Sequence, residues 1–555
     1  MQTFLKTTIQ TALFLGAAIS PAAAFELKPI GTYSTGVFDD GAAEISAYDP
    51  VTQRLFITNG STSQIDILSI SDPTKPTLIS SISLAPYGGG ANSVAFKNGV
   101  LAAAVENTVV QNPGSVVFFN ADGGFLNSVT VGALPDMLTF TPDGKKVLVA
   151  NEGEPNSDYT IDPEGSVSIV DLAAGVLNAT VKTAGFTQFN NVALDPGIRV
   201  YGPNATPAQD FEPEYIAVSP DSKKAWVALQ ENNALGILNL ETGEFEKLVA
   251  LGFKDYSKPG NALDASDRDN AINITNYPNL FGMYQPDAIA TFEASGKTFI
   301  ISANEGDARD YDTFAEEARV RDLVLDPTAF PNAAELQANS ALGRLNVTTT
   351  LGDTDGDGDY DELYTLGGRS FSIWDEDGKL VYDSGDLLEQ IIAERIPEFF
   401  NADNAVNGFD SRSDNKGPEP EGVTVAQFGD QIFAFLGLER VSGVAVFDIT
   451  NPTNPIFANY INNRDFSVLF DENEDGDPAP TPEQLAAVGD LGPEGLLFIS
   501  AKDSPNGKDL LVLTNEVSGT TTIYTAAVPE PTTVLGLGVF GTLALRLRRK
   551  YQAKN

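Results

Sequence analysis

A segment that recurs along the chain constrains the fold more than any other sequence feature. Each copy has a short apolar strand, a turn rich in Asp, Gly and Lys, and a second apolar strand, most clearly in Phe140–Glu152 (FTPDGKKVLVANE). A third strand often follows, as in Gly165–Asp171 (GSVSIVD). Repeated strands at a period near 45 residues are typical of β-propeller blades. Seven copies begin near residues 44, 92, 136, 214, 287, 421 and 494.

These spacings predict an all-β, seven-bladed β-propeller over residues 25–527, with long loop insertions in the later blades. The first two spacings match bare blades, whereas the later ones require extra residues. The longest insertion is predicted at about 307–368, before the strand Arg369–Asp375 that would complete the fifth blade. An array of two β-sandwich domains is the alternative, but the period of the repeat argues against it.

The composition excludes several kinds of chemistry. The 555 residues include no His and no Cys, so a Ser-His-Asp triad, His metal sites, disulfides and thiol nucleophiles are ruled out. The 34 Lys and Arg stand against 76 Asp and Glu, and a net charge of −42 is incompatible with general nucleic-acid binding. Any chemistry would therefore depend on carboxylates, hydroxyls, Lys, Arg, Tyr or a hard metal ion.

Alignment of the copies brings out two sets of acids. In six of the seven copies an acid begins the first strand, and in the remaining copy Asn92 takes this place. The six acids are Glu44, Asp136, Glu214, Asp287, Glu421 and Glu494. In six of the seven copies another acid follows the second strand, and in the first copy Gly60 takes this place. These acids are Glu106, Glu152, Glu231, Glu305, Glu439 and Glu516. The start of one strand lies beside the end of its antiparallel neighbour, so both sets are predicted to gather at one mouth of the central channel.

So many unpaired carboxylates would repel one another strongly. One hypothesis is that each acid caps its own loop by accepting backbone N–H bonds. The other is that the channel mouth binds a hard cation such as Ca²⁺ through carboxylate oxygens. Arg309, Arg412 and Arg440 lie close to these acids in the sequence and could either balance them or hold a phosphate or carboxylate ligand.

The sharpest local motif lies in the long insertion. Alternating aspartates, with Gly358 at the sixth place, resemble the front half of a calcium loop: Asp353, Asp355, Asp357, Asp359 and Asp361. The twelfth place holds Tyr364 instead of the bidentate Glu of an EF-hand, so Glu362 or a remote acid would complete the shell. The motif predicts a Ca²⁺ site, and a solvated acidic turn is the alternative. Asp471–Asp477 is a weaker version of the same pattern.

Both ends of the chain predict export. Residues 1–24 have the pattern of a secretory signal peptide, with an apolar region at Thr11–Ser20 and small residues before Phe25. At residues 528–555, a Val-Pro-Glu-Pro sequence precedes an apolar run at 532–545 and a basic cluster. This tail resembles the PEP-CTERM sorting signal. The resemblance implies a short transmembrane helix, processing by an exosortase and export in a Gram-negative-type bacterium; a permanent membrane anchor is the alternative.

The repeat, the two Ala-Asn-Glu-Gly segments ending at Glu154 and Asp307, and Asp353–Trp374 together resemble the choice-of-anchor I family. The resemblance spans residues 28–527 and implies an exported propeller with a variable C-terminal anchor. Some relatives in this family are labelled alkaline-phosphatase-like, and the animal members are described as cell-surface glycoproteins. The resemblance supplies no catalytic residues.

Two functional hypotheses follow. The first is an exported calcium-binding propeller at the cell surface or in the extracellular matrix, where it binds a partner without chemistry. The second is a metal-dependent phosphoesterase of alkaline-phosphatase or phytase type, whose metal ions would lower the pKa of a bound water. In that case Arg309 or Arg440 would hold the phosphate, and Glu152, Glu305 and Glu439 would act as ligands or base. Whether the protein is an enzyme stays open at this point.

Overall fold

The computed structural model describes residues 25–473 and 476–529. Its strands form seven four-stranded sheets. Six are built from strands that follow one another in the chain, apart from insertions, and the seventh combines the last three strands with the first. The innermost strands of successive sheets contact one another in order around a closed ring, the last contacting the first. The all-β propeller prediction is confirmed, and the β-sandwich alternative is wrong.

The first four blades contain sequential strands with few interruptions. Blade 7 borrows its outermost strand from the start of the chain, β1 (Glu26–Ser34). Blade 1 contains β2 (Ser46–Asp49), β3 (Arg54–Asn59), β4 (Gln64–Ser69) and β5 (Thr77–Ser83). Blade 2 contains β6 (Ala91–Lys97), β7 (Val100–Val105), β8 (Pro113–Asn120) and β9 (Phe125–Ala133). Blade 3 contains β10 (Pro135–Phe140), β11 (Lys146–Asn151), β12 (Ser166–Asp171) and β13 (Thr180–Gly185). Blade 4 contains β14 (Pro213–Val218), β15 (Lys224–Leu229), β16 (Ala234–Asn239) and β17 (Glu244–Ala250).

The later blades carry the insertions. Their small elements are β18 (Phe253–Asp255), β19 (Leu280–Met283), β22 (Asp310–Tyr311), β23 (Phe314–Ala315), β24 (Glu317–Arg319), β25 (Asn346–Thr348) and β26 (Leu363–Thr365). Blade 5 contains β20 (Ile289–Ala294), β21 (Lys297–Asn304), β27 (Ser370–Asp375) and β28 (Leu380–Asp383). Blade 6 contains β29 (Pro420–Phe428), β30 (Gln431–Leu438), β31 (Val444–Asp448) and β32 (Ile456–Ile461). Blade 7 is completed by β33 (Pro493–Ile499), β34 (Leu510–Asn515) and β35 (Thr520–Ala527).

Within residues 25–473 and 476–529, helices are few and short. They lie in the connections between blades or in the long insertion: α1 (Pro207–Asp210), α2 (Ala333–Leu336), α3 (Leu387–Arg395) and α4 (Pro482–Val488). Among the residues the structure describes, no helix is long and apolar enough to cross a membrane. The predicted signal peptide at 1–24 and the predicted transmembrane helix at 532–545 lie outside those residues, and the domain boundaries derived from them stay predictions.

The core lies between adjacent blades. The second strands, such as β11, are runs of apolar residues buried on both faces, which suits sheets packed on each side. One apolar cluster joins blades 5 and 6 through Phe371 and Phe447, and another joins blades 3 and 4 through Phe186 and Phe211. The sheets are therefore held side by side around the central cavity.

Strand direction divides the connections into two groups. Each first strand starts at one end of its blade, and the end of the second strand lies beside that start, as the pairings Pro135 with Asn151 and Pro493 with Asn515 show. We call this the acid end, because Asp136, Glu152, Glu494 and Glu516 stand there. Turns between first and second strands, and between third and fourth strands, lie at the opposite end.

Candidate functional site

The acid end brings together the two sets of carboxylates that the repeat predicts. Burial raises the pKa of Glu494, with further contributions from Glu44, Glu516, Asp287 and Asp136, which belong to blades 1, 3, 5 and 7. Asp136, Asp287 and Glu494 also line the same central cavity, which places acids of different blades around one space. The first strands therefore deliver their acids to one mouth of the cavity.

Burial raises the pKa values of many members of the ring, and neighbouring acids add to the effect at most positions. Burial, with Glu516 and Asp136 nearby, raises the pKa of Glu44 to about 8. Burial next to Glu154 raises that of Asp136 to about 7. The pKa values of further ring members are also raised, mainly by burial: Glu106, Glu152, Glu214, Glu231, Asp287, Glu421, Glu439 and Glu516. The ring thus holds its negative charge at a free-energy cost that protons or cations would relieve.

Several of these carboxylates have an enclosed oxygen without a hydrogen-bond partner. They are the Oε2 atoms of Glu214, Glu231, Glu421 and Glu494. Glu231 is only 5% exposed, so water reaches it poorly. Other acids accept backbone N–H bonds: Glu106 from Gly90 and Asp287 from Ala288. Loop capping and unsatisfied carboxylates therefore occur in the same ring.

Three acids of the ring are close enough to share a cation. One carboxylate oxygen from each of Asp287, Glu305 and Glu421 lies within 4.8 Å of the other two. Next to them, the Lys416 ammonium lies 2.7 Å from Glu305 Oε1 and 3.2 Å from Glu419 Oε2. It also donates to the Gly306 carbonyl at 2.6 Å. The protein therefore supplies one positive charge of its own on this side of the mouth.

The arginines near the ring are engaged with acids. Arg309 is 3% exposed and its guanidinium pairs with Asp210 at 2.6 Å and with Glu212 at 2.9 Å. Tyr201 covers its face, with the guanidinium carbon 4.6 Å from the ring centre. Arg440 Nε lies 3.0 Å from a Glu419 oxygen and 3.1 Å from a Glu439 oxygen. Arg412 also pairs with Glu419. These contacts support the charge-balancing role more than capture of a phosphate.

The central cavity has a volume of about 650 Å³ and is lined by the first strands. Asn92, Asp136, Tyr215, Asp287 and Glu494 line it at the acid end. At the other end the lining includes Tyr48, Phe140 and Asp503. Acids thus concentrate at one mouth, while the walls beyond are largely apolar or neutral.

The aspartate loop of the insertion lies apart from the ring residues in sequence and is exposed. Asp353, Asp355 and Asp357 have oxygens within 4.8 Å of one another. Asp353 Oδ1 accepts from the Gly356 amide at 2.7 Å, and Gly356 and Gly358 both adopt positive φ, at 80° and 98°, which turns the chain sharply. The main cause of the raised pKa of Asp355 is the neighbouring charge of Asp357.

A remote residue completes a second group of acids in this loop. Asp326, Asp359 and Asp361 have oxygens within 4.8 Å of one another. A parallel bridge between Leu325 and Tyr360 places Asp326 there. Glu362, the alternative considered from sequence, instead accepts from the Tyr364 hydroxyl at 2.6 Å. Nothing in the sequence near Asp326 indicates this role, because the pairing joins separate segments of the insertion.

Searches with family models match two parts of the chain. The choice-of-anchor I domain matches residues 44–452, and the PEP-CTERM protein-sorting motif matches residues 527–550. The sorting motif implies processing by an exosortase. Together the matches indicate an exported cell-surface protein of a Gram-negative-type bacterium, as predicted.

Two curated proteins are similar over part of their length. "Gigasin-3a" from Magallana gigas is 32% identical over 197 residues, which cover 34% of this chain and 66% of that protein. "Mesenchyme-specific cell surface glycoprotein" from Strongylocentrotus purpuratus is 28% identical over 289 residues, which cover 46% of this chain and 36% of that protein. The chain thus spans less than two thirds of either relative.

Solved structures resemble the chain only loosely. Hydrazine synthase from Kuenenia stuttgartiensis has a TM-score of 0.45 at 12% identity, covering 90% of this chain and all of that one. The WD40 domain of Toxoplasma gondii coronin has a TM-score of 0.45 at 8% identity, covering 92% and 89%. No functional conclusion follows from likeness at this level. The family-model match covers most of the chain, and the protein belongs to the choice-of-anchor I family.

Proposed function

We propose that this exported propeller binds calcium and works at the cell surface, or in the surrounding matrix, by binding a partner. The observation that carries the calcium assignment is the aspartate loop, where six carboxylates form two close groups. Hard carboxylate oxygens are the ligands that Ca²⁺ prefers, and the sharp turns at Gly356 and Gly358 bring them together. The sea-urchin relative is described as a cell surface glycoprotein, which is consistent with a surface role.

A binding role has more support than the phosphoesterase alternative. Arg309 is buried between Asp210 and Glu212, and the Nε of Arg440 is shared by Glu419 and Glu439, so acids of the protein already balance the charge of both guanidinium groups. Burial raises the pKa values of many acids of the ring, and the Lys416 ammonium contacts two acids, Glu305 of the ring and Glu419. We therefore expect no calcium-dependent release of phosphate from phosphomonoesters, including phytate. We also expect no release of phosphate that is lost in a Glu305→Gln variant.

The calcium assignment is tested by thermal unfolding of a variant with Asp353→Asn, Asp355→Asn and Asp357→Asn. Calcium at 100 times its Kd would stabilise the folded protein by about 2.7 kcal/mol. At about 1 kcal/mol per degree for a domain of this size, Tm would rise by about 3 °C. The variant should lose most of that rise. It should not unfold without calcium, since the exposed aspartates repel one another in the apo state.

A matched control removes the same charge from turns at the opposite end, through Glu241→Gln, Asp377→Asn and Asp430→Asn. Those side chains are exposed and well separated along the chain. The control should keep the calcium-dependent rise in Tm. An equal calcium response in all three proteins would disprove the loop assignment.

A further inference from the structure

A buried polar cluster lies in the connection from blade 5 to blade 6, residues 384–419. Two of its oxygens have no hydrogen-bond partner: Oδ2 of Asp410, which is 1% exposed, and Oδ1 of Asn401, which is 0% exposed. The Ser413 hydroxyl links the two side chains, because it accepts from Asn401 Nδ2 at 2.8 Å and donates to Asp410 Oδ1 at 2.5 Å. A buried acceptor without a donor carries an uncompensated desolvation cost, and this cluster contains two.

Among residues 25–473 and 476–529, no Lys or Arg forms an ion pair with Asp410. Four charged side chains of neighbouring elements face the cluster: Asp264, Asp269, Arg369 and Glu389. Arg369 pairs with Glu389 at 2.8 Å and donates to the Ser413 carbonyl at 2.7 Å, so its charge is engaged elsewhere. Burial raises the pKa of Asp410 to about 8 against the hydrogen bond from Ser413, and the three acids add to the rise. An ionised Asp410 would be a further buried negative charge without a counter-ion.

The two side chains stand at the two ends of one loop, residues 401–410. Asn401 and Asp410 both adopt positive φ, at 42° and 66°. Residues other than Gly keep this conformation only where the surrounding contacts hold it. From the same loop, Asn404 Nδ2 donates to Oε1 of Glu439, an acid of the ring, at 3.2 Å. The contacts that close the 401–410 loop therefore also hold a hydrogen-bond donor against the ring.

We propose that the 401–410 loop is a pH-dependent switch, held closed by one proton that the Asp410 carboxyl donates to Asn401 Oδ1. This hydrogen bond gives both unpartnered oxygens a partner and leaves no charge on Asp410 to bury. As the pH rises the proton passes to water, and the carboxylate that remains faces three acids, so the loop opens. Opening withdraws Asn404 from Glu439 and thus couples the switch to the ring. The switch depends neither on calcium nor on a binding partner.

The test is hydrogen–deuterium exchange of residues 400–413 in the full chain, with a calcium chelator and with each rate divided by the intrinsic rate at that pH. A carboxyl that is neutral in the closed loop and ionised in the open loop makes opening about tenfold more favourable per pH unit between its two pKa values. Protection should therefore fall at least tenfold from pH 6 to pH 8. In Asp410→Asn, whose amide can donate at every pH, protection should change less than threefold. The control Asp430→Asn removes an exposed carboxylate from a turn of blade 6 and should respond like the natural protein.

Equal pH dependence in Asp410→Asn and the natural protein, or no pH dependence in the natural protein, would overturn the switch. An infrared difference spectrum at pH 6, natural protein minus Asp410→Asn, gives a second readout that does not require the loop to open. It should contain the C=O band of one protonated carboxyl, and a carboxylate band in its place would overturn the assignment of the proton. Because both measurements are made without calcium, failure of the calcium loop would change neither result.

Discussion

Lys416 provides a sharp test of how the acid end is held together. Its side chain is 11% exposed, and its ammonium bridges Glu305 and the fully buried Glu419. Replacement by Met keeps the apolar stem and removes the charge. Loss of one partner from a buried ion pair typically costs 3–5 kcal/mol. Here Glu305 is left without its cation, whereas Glu419 keeps Arg412 and Arg440. At about 1 kcal/mol per degree for a propeller of about 500 residues, Lys416→Met should lower Tm by about 3–5 °C.

The assay is thermal unfolding in a chelator at pH 8 and at pH 5. Near Lys416, burial raises the pKa of Asp307 to about 7, against the opposing effect of the ammonium. A carboxyl with a raised folded-state pKa stabilises the protein below its unfolded pKa, and that contribution is lost as the pH rises through the folded value. Removal of the ammonium raises the cost of ionising Asp307 further. The deficit in Tm should therefore be larger at pH 8 than at pH 5.

The matched control is Lys182→Met, which removes an exposed lysine 4.0 Å from Glu244. Exposed ion pairs contribute about 0–1 kcal/mol, so Tm should change by less than about 1 °C. A Lys416→Met protein with a Tm within 1 °C of the natural protein at pH 8 would refute the view that the ammonium offsets repulsion in the ring. A deficit independent of pH would refute the link to Asp307.

Three further predictions concern buried groups elsewhere. Burial raises the pKa of Asp410 to about 8 despite a hydrogen bond from Ser413, so the natural protein should lose stability as the pH rises from 4 to 8. Asp410→Asn should flatten this dependence of Tm on pH, and parallel curves of Tm against pH for the two proteins would contradict the prediction. A Cβ at Gly306, where φ is 91°, would lie 2.1 Å from the Gly367 amide nitrogen. Gly306→Ala should therefore lower Tm by several degrees, and an unchanged Tm would show that the loop adapts. Arg309→Met leaves Asp210 and Glu212 without their cation and should lower the free energy of unfolding in urea by about 3–5 kcal/mol. A loss below 1 kcal/mol would mean that Arg309 does not hold the long insertion to the connection between blades 3 and 4.

Part of the site could be predicted from sequence because strand registers are local. Asp136 and Glu152 are linked through one hairpin, in which Pro135 pairs with Asn151, so their shared end follows from the repeat alone. The same reasoning applies to Glu494 and Glu516. The Asp353–Asp361 motif likewise depends on short-range spacing and two glycines.

Contacts between distant segments could not be predicted in this way. Lys416 meets Glu305 across 111 residues of chain, and Arg309 meets Asp210 across 99. Asp326 reaches the aspartate loop only through the bridge between Leu325 and Tyr360. No periodicity specifies such pairs, since they arise where insertions from different blades pack together.

The sequence by itself determined the blade count and the position of the acids in each blade. Both follow from hydrophobic alternation and repeat spacing, which are properties of neighbouring residues. Only the tertiary structure decided which acids are paired and which oxygens stay without partners. Those outcomes depend on how the closed ring of blades brings remote loops together, and burial there sets the free energy of each charge.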